Sequence, residues 1–323
     1  MRKKILFIGG SMNQTTQMHQ ISRWLPEADH FFSPFFCDGL LGKAADMGLL
    51  EFTIMGHKRA SRALGYYRSE QLAVDSKGFM HHYDLVVTCT DLIVPRHLRK
   101  SPIVLVQEGM TEPETFFYHL ARTFRWVPRW IAGTATTGLS DAYVRFCVAS
   151  EGYRDLFVRK GVDPAKLVVT SIPNFDHCAQ YLRNDFPHHD YVLVCTSDNR
   201  ETFIYENRRK NILKYVQMAA GRQLIFKLHP NERVDRAREE IERYAPGSLV
   251  FHEGKTEEMI ANCCMLIAQF SSTIFVGSAL DKEVHCGLDS DELRRLTPLQ
   301  NNAAARLIAD VCRGVLERGP NGS

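Results

Sequence analysis

Short apolar, β-branched runs alternate along this chain with segments whose apolar residues recur at helical spacing. In the first half the pattern predicts strands at 4–8, 30–36, 83–89, 103–107, 145–149 and 167–171. In the second half it predicts strands at 191–195, 223–228, 249–252 and 265–269, with helices at 203–220, 232–244, 257–263 and 302–317. Several strands are apolar throughout, as strands covered on both faces are. Strands that alternate with helices indicate an α/β protein with parallel sheets.

The strand and helix pattern starts again after the polar stretch 183–190, which we interpret as an interdomain linker. A length of 323 residues exceeds what one domain usually holds. We therefore predict two doubly wound α/β domains, residues 1–175 and 188–300, and a last segment, 301–323, whose helix packs back toward the first domain. Ligands of such sheets bind beyond the carboxyl ends of the strands, so we expect the functional site in a central cleft between the domains.

Composition and charge exclude several classes of function. The chain has 40 basic and 37 acidic side chains and a net charge of +3, which argues against nucleic acid as a partner. No apolar run reaches the length of a membrane span, and the apolar stretch at 5–8 is too short for a signal peptide. The nine cysteines are scattered without a CxxC pair, which argues against a zinc site or a set of disulfides. Free cysteines are typical of proteins of the reducing cytoplasm.

Three hydroxyl residues, Ser271, Ser272 and Thr273, directly follow the predicted strand 265–269 and open a helix. Backbone N–H groups and hydroxyls at a helix start can bind an anion such as a diphosphate. The alternative is an ordinary helix cap.

A second polar group ends the strand 223–228, where Lys227, His229 and Pro230 follow each other closely. A histidine at this edge can donate a hydrogen bond to the phosphate of a leaving group, and a lysine can add positive charge. The alternative is a capped loop with a solvated histidine. The presence of this segment together with 271–273 favours a phosphate site.

Two acids, Asp91 and Glu108, follow apolar strands in the first half. Either can be a general base that deprotonates an acceptor hydroxyl, and either can instead cap a helix or a loop. Gly10 and Ser11 follow the first strand without a GxGxxG spacing, so a dinucleotide fingerprint is absent. This opening loop is either a tight turn or a contact to a sugar or phosphate.

Residues 116–130 mix aromatic side chains with three arginines. The composition suits a helix packed on its own domain with solvated arginines, or a surface that meets a membrane or a lipid-linked acceptor.

The layout resembles the GT-B superfamily, and within it the non-hydrolysing UDP-N-acetylglucosamine 2-epimerases. The resemblance lies in 83–91 and 102–109, two strands that end in an acid, and in 148–151 and 161–176, which lead into the expected hinge. It implies two Rossmann-like domains that face a central cleft, with the nucleotide held mainly by the second. The epimerases' arginine-bearing first loop and His-Arg-x-Glu-Asn motif are replaced here by 10–16 and 196–201.

His229-Pro230 followed by Ser271-Ser272 is similar to motifs of bacterial polysialyltransferases, capsule Kdo transferases and CDP-glycerol glycerophosphotransferases. That resemblance implies that the two motifs bind the phosphates of a nucleotide-linked donor and that an acid of the first domain is the base.

The sequence thus leads us to expect a metal-independent, inverting GT-B glycosyltransferase of cell-surface polysaccharide or glycoconjugate assembly. Its catalytic candidates are Glu108, Asp91 and His229. The donor-binding candidates are Gly10, Ser11, Arg200, Lys227, His229, Pro230, Ser271, Ser272 and Thr273. The expected partners are a UDP-, CMP- or CDP-linked donor and a carbohydrate or lipid-linked acceptor, with no metal, no cofactor and no nucleic acid. We expect a cytoplasmic protein. If the acceptor is linked to a lipid, we expect the protein to bind peripherally at the inner face of the membrane. The alternatives are a nucleotide-sugar 2-epimerase and a non-catalytic nucleotide-sugar-binding protein.

Overall fold

The computed structural model describes residues 2–39, 42–43, 47–48, 56–124, 126–202, 205–269 and 271–318. The chain divides into two compact units, Met1–Asp176 with Asn301–Ser323 and His177–Gln300. The division falls between Asp176 and His177, so the polar stretch 183–190 belongs to the second unit.

The first unit contains a parallel sheet of six strands in the order β2-β1-β3-β4-β5-β6. The strands are β1 (Lys4–Gly9), β2 (Asp29–Pro34), β3 (Leu85–Thr88), β4 (Ile103–Val106), β5 (Arg145–Val148) and β6 (Leu167–Val169). Because β2 and β3 flank β1 on opposite sides, the chain reverses its direction across the sheet between β1 and β3. This reversal is the position where ligands bind in doubly wound folds.

The first unit also contains helices. They are α1 (Met12–Ser22), α2 (His57–Ser69), α3 (Phe116–Thr123) and α4 (Glu151–Lys160), with short 3-10 segments at Arg96–Lys100, Arg129–Thr136 and Pro164–Lys166. Serine caps explain two of the helix starts, since Ser11 accepts the backbone N–H of Gln14 at 3.1 Å and Ser150 accepts that of Tyr153 at 3.3 Å.

The second unit contains a parallel sheet of five strands in the order β11-β10-β7-β8-β9. The strands are β7 (Val192–Cys195), β8 (Leu224–Lys227), β9 (Leu249–Phe251), β10 (Met265–Ala268) and β11 (Glu283–His285). The helices are α5 (Arg208–Ala219), α6 (Val234–Tyr244), α7 (Thr256–Asn262), α8 (Thr273–Ala279) and α9 (Ser290–Leu296), with 3-10 segments at Cys178–Leu182 and Asn199–Thr202. The reversal of this sheet lies between β7 and β10.

The last helix, α10 (Ala304–Arg318), packs on the first unit. Its buried residues Ile308, Ala309 and Cys312 join a core that includes Phe7 and Val87. Removal of these side chains from water is the main stabilising term for such a contact.

The predicted α/β class with two parallel sheets is confirmed, and an observed strand lies at each of the ten predicted positions. The strand Glu283–His285 and the helix Ser290–Leu296 were not predicted. The helix expected at 203–220 is observed from Arg208, while 203 and 204 lie outside the described residues. Within the described residues, no helix is both long enough and apolar enough to cross a membrane.

Candidate functional site

Glu108 lies just beyond β4, and two side chains from the start of α1 hold its carboxylate. The hydroxyl of Ser11 donates to Oε1 at 2.5 Å, and the amide Nε2 of Gln14 donates to Oε2. The Gln14 Oε1 atom in turn accepts the backbone N–H of Gly10 at 2.7 Å. These bonds fix the orientation of the Gln14 amide and of the carboxylate, which stays partly exposed.

Glycine allows this close approach of α1 to β1. A Cβ atom on Gly9 would lie 2.9 Å from the Cα of Thr15, and one on Gly10 would lie 3.0 Å from the Gln14 Oε1. The first of these atoms belongs to the backbone and has little freedom to move. The Gly9-Gly10 pair therefore sets the position of Ser11 and Gln14 next to Glu108.

Asp91 has a different environment from Glu108. It is 1% exposed, and its carboxylate accepts the backbone N–H groups of Gly138 and Ser140, each at 3.0 Å. Arg129 Nη1 pairs with the same carboxylate at 3.2 Å, and Arg129 Nη2 donates to the Asp91 carbonyl at 2.7 Å. The carboxylate of Asp91 thus ties together three segments of the first unit.

His229 follows β8 in the second unit, and its ring is held in a defined orientation. Its backbone N–H donates to the Thr196 hydroxyl at 3.0 Å, and its Nδ1 accepts the backbone N–H of Asn231 at 3.2 Å. The carboxylate of Asp198 lies 3.6 Å from Nδ1. Because Nδ1 accepts a hydrogen bond, we assign the proton of the neutral ring to Nε2. The side chain is 36% exposed, and within the described part of the chain Nε2 has no hydrogen-bond partner.

Thr196 connects His229 to a buried charged pair. The Thr196 hydroxyl donates to Glu232, whose other oxygen accepts from Arg208 at 2.6 Å. Burial raises the pKa of Glu232, against the lowering effect of Arg208 and Thr196. The chain of contacts from Arg208 through Glu232 and Thr196 supports the loop that carries His229.

Lys227 and Arg200, the cations expected at the phosphate site, already bind groups within the second unit. Lys227 is buried, its Nζ donates to the carbonyl of His252 at 2.6 Å, and burial lowers its pKa. Arg200 binds both oxygens of Glu240 at 2.8 Å, and this hydrogen bonding raises the pKa of Arg200. Pro230 is exposed at the turn after His229.

The three hydroxyl residues Ser271, Ser272 and Thr273 follow β10 and are partly exposed. The Thr273 hydroxyl donates to that of Ser271 at 3.0 Å. Since β7 and β10 are neighbours, these residues lie at the same sheet edge as the loop after β7, and the Asn199 amide reaches Gln269 at 3.4 Å. The edge where the second sheet reverses is therefore lined by hydroxyl and amide groups.

The structure thus brings Gly10, Ser11 and Glu108 together in the first unit. Sequence reasoning missed Gln14 there, and it missed Thr196 and Asn231 in the second unit. A signal for Gln14 was present, because Ser-x-x-Gln before a helix is a capping-box pattern that ties the fourth residue to the start of the helix. In the described residues, no group of three or more His, Cys, Asp or Glu side chains is arranged to hold a metal ion.

Comparisons with known proteins extend this picture. No protein-family model and no curated protein sequence matches the chain. Among solved structures, a variant of the wall teichoic acid polymerase TagF soaked with CDPG is similar, with a TM-score of 0.55, 11% identity, and 98% of this chain and 90% of that chain covered. S. aureus MnaA in complex with UDP matches with a TM-score of 0.60, 11% identity, and coverage of 98% and 97%.

A UDP-N-acetylglucosamine 2-epimerase is also similar, with a TM-score of 0.56, 11% identity and coverage of 99% of both chains. Identities this low show a shared architecture and leave the chemistry open. The two parallel sheets, their strand order and these structural neighbours together show that the protein has the GT-B fold.

Proposed function

We propose that the protein is a metal-independent transferase that moves a sugar or polyol phosphate from a nucleotide-linked donor to an acceptor hydroxyl in cell-surface polysaccharide or glycoconjugate assembly. The observation that carries the proposal is the His229 ring. Its Nδ1 is occupied by Asn231, so the ring offers an Nε2–H donor at the carboxyl end of β8. A donor at this edge of a doubly wound sheet is suited to a phosphate oxygen.

We assign the general base to Glu108 rather than Asp91. A carboxylate has about four lone-pair positions, so the two bonds from Ser11 and Gln14 leave Glu108 able to accept a further proton donor. Asp91 is almost fully buried and already accepts three hydrogen bonds within its unit. The two side chains of Ser11 and Gln14 orient Glu108 in the way that a second residue orients a catalytic base.

The proposed reaction is a single displacement. The acceptor oxygen forms a bond to the anomeric carbon of a sugar donor, or to phosphorus in a polyol phosphate donor, and the bond from that atom to the nucleotide phosphate oxygen breaks. The acceptor proton moves to Glu108. The bonding electrons leave with the nucleotide, whose new negative charge receives the hydrogen bond of His229 Nε2–H. With a sugar donor this displacement inverts the anomeric centre.

The other residues have supporting roles in this proposal. Ser271, Ser272 and Thr273 bind the donor phosphates, and Gly10 and Ser11 shape the acceptor side. Lys227 and Arg200 support the phosphate region by holding the loops around His229 through His252 and Glu240. The donor is a UDP-, CMP- or CDP-linked compound, and the acceptor is a carbohydrate or a lipid-linked molecule. The protein is cytoplasmic in this proposal.

The test begins with the melting temperature of the purified protein in EDTA, with and without CMP, CDP, UDP and GDP and their sugar or glycerol conjugates. A ligand that binds the native state stabilises it by about 2.7 kcal/mol at 100 times its Kd. We expect a shift with cytidine or uridine nucleotides. The conjugates that bind are then incubated with glycan acceptors, and release of the free nucleotide is measured.

Three outcomes would contradict the proposal. Deuterium that enters the sugar from solvent without an acceptor would establish an epimerase, in which the same acid removes the proton next to the anomeric carbon. Donor binding by the wild-type protein, with no turnover on any acceptor, would indicate a binding protein. No shift with any nucleotide would remove the phosphate site itself.

A further inference from the structure

A closed segment, residues 112–134, follows β4 and the loop that carries Glu108. Its two ends are joined, since the backbone N–H of Glu112 donates to the Thr134 hydroxyl at 2.9 Å and the backbone N–H of Thr134 donates to the Glu112 carboxylate at 2.8 Å. The segment contains the helix α3 and the start of the 3-10 segment Arg129–Thr136. Its geometry is thus set by its own contacts.

The segment has a small apolar core of its own. Tyr118 and Ala121 of α3 are buried against Val127, Ala132 and Ala135. At the base of the segment, the buried ammonium of Lys160 donates to the carbonyl of Ala135 at 2.9 Å. The inner face of α3 is therefore buried in apolar contacts within the segment.

The outer face of the segment carries several exposed apolar side chains, beside the exposed polar residues His119, Arg122 and Thr123 of α3. Phe116 is 74% exposed and Trp126 is 78% exposed, while Phe117, Phe124 and Ile131 are more than a third exposed. We call the four aromatic residues of this set, Phe116, Phe117, Phe124 and Trp126, the aromatic surface. The exposed Phe116 and Phe117 distinguish α3 from an ordinary surface helix, whose solvent side is polar.

The aromatic surface lies in a part of the sequence whose charged residues are basic. Between 116 and 131 the sequence contains Arg122, Arg125 and Arg129 and no acidic residue. Arg122 is exposed in the structure, and Arg129 pairs with Asp91. The two acids that precede the helix are directed to the base of the segment, Glu112 to Thr134 and Glu114 toward Lys160 at 4.0 Å.

We propose that the aromatic surface binds the interface of an anionic lipid bilayer. Exposed phenylalanine and tryptophan side chains beside arginines match the apolar and negatively charged zones of that interface. The segment lies directly after Glu108 in the chain, so binding would hold the proposed acceptor side of the protein at a membrane. The inference about lipid-linked acceptors rests on the proposed function, whereas the binding itself does not depend on it.

The experiment measures co-sedimentation of the full-length protein, without donor or acceptor, with vesicles of phosphatidylcholine alone and with 30% phosphatidylglycerol. We expect binding to the anionic vesicles that weakens at high salt. The Phe117→Ser/Trp126→Ser double variant should bind them at least about ten-fold more weakly, since two aromatic groups no longer enter the interface. Arg122→Gln should weaken binding about five-fold, on anionic vesicles only.

Trp24→Ser is the matched control, because Trp24 is an exposed tryptophan of the same unit outside the aromatic surface. It should bind like the wild-type protein. Trp126 fluorescence in vesicles with brominated acyl chains should be quenched in the wild-type protein. Absence of vesicle binding by the wild-type protein, or equal binding by the double variant, would overturn the proposal.

If a soluble dimer disappears in the double variant while vesicle binding is absent, the surface contacts a second copy and the membrane inference is wrong. Because no substrate is present, a failure of this experiment leaves the proposed transferase activity unaffected. Loss of transferase activity with normal vesicle binding would contradict the proposed function alone.

Discussion

Ser11 donates its hydroxyl to the carboxylate of Glu108 at 2.5 Å, although 97 positions separate the two residues in the chain. Ser11 also caps α1, so one side chain both begins a helix and orients an acid at the end of a different strand. A residue with both tasks couples the local structure of the first loop to the proposed base.

Glu108→Gln tests the base directly. The amide retains the shape of the side chain and can still accept from Ser11, but it takes up no proton from an acceptor. We expect turnover to fall about 100- to 10,000-fold while the melting temperature changes little. The matched control is Glu151→Gln, an exposed acid of the same unit, which should keep wild-type turnover. Turnover in Glu108→Gln close to that of wild type would remove the role.

Asp91→Asn should act on stability. Asp91 neutralises Arg129 and accepts two backbone N–H groups, so its loss leaves a partly buried guanidinium without its counter-charge. We expect the free energy of unfolding, measured by urea denaturation, to fall by about 2 kcal/mol. This is less than the loss usually found when a fully buried ion pair is broken, because Arg129 is partly exposed. An unchanged midpoint would show that this ion pair contributes nothing.

His229→Ala should lower turnover, because it removes a proposed contact to the nucleotide-linked donor. Loss of the Nε2–H donor removes a hydrogen bond to the leaving phosphate, and we expect turnover to fall about 100-fold or more with the fold intact by circular dichroism. His285→Ala, on the edge strand of the same sheet, is the control. Equal turnover in both variants would show that the ring has no part in the reaction.

Gln14→Leu should impair turnover through Glu108. The variant loses the Nε2 donor that holds one carboxylate oxygen, while the proposed donor site in the second unit is unchanged. We expect kcat to fall about 10- to 100-fold with an unchanged KM for the donor. Gln20→Leu on the same helix is the control. A rise in donor KM with unchanged kcat would contradict a positioning role.

Acid should remove the stabilising contribution of Asp75. Burial raises the pKa of this carboxyl group, but hydrogen bonds from the Tyr83 hydroxyl and from backbone N–H groups lower it overall below its ordinary 3.8. A depressed pKa contributes stability that is present above the unfolded-state value and is lost as the pH falls through the folded-state value. Urea unfolding from pH 6 to 3 should therefore show Asp75→Asn much less stable than wild type at pH 6. The difference should narrow below about pH 3.8, whereas a constant difference would refute this account.

The sequence alone determined the architecture, because strands buried on both faces must be apolar along their length. Leu85–Thr88 and Met265–Ala268 are fully buried and lie within the strands predicted at 83–89 and 265–269 from their apolar runs. The strand Glu283–His285 escaped prediction because it contains only three residues, two of them polar and exposed. Its extended conformation depends on hydrogen bonds to β10, which is a tertiary contact.

The candidate site divides in the same way. The residues at strand ends, such as Glu108 and His229, follow from the sequence, because parallel strands place their carboxyl ends at one edge. The different environments of Asp91 and Glu108 could not be predicted from the sequence, since both acids come after apolar strands. Only the tertiary structure decided it, because Arg129, Gly138 and Ser140 reach Asp91 from distant positions in the chain and enclose it, whereas Ser11 and Gln14 leave Glu108 partly exposed.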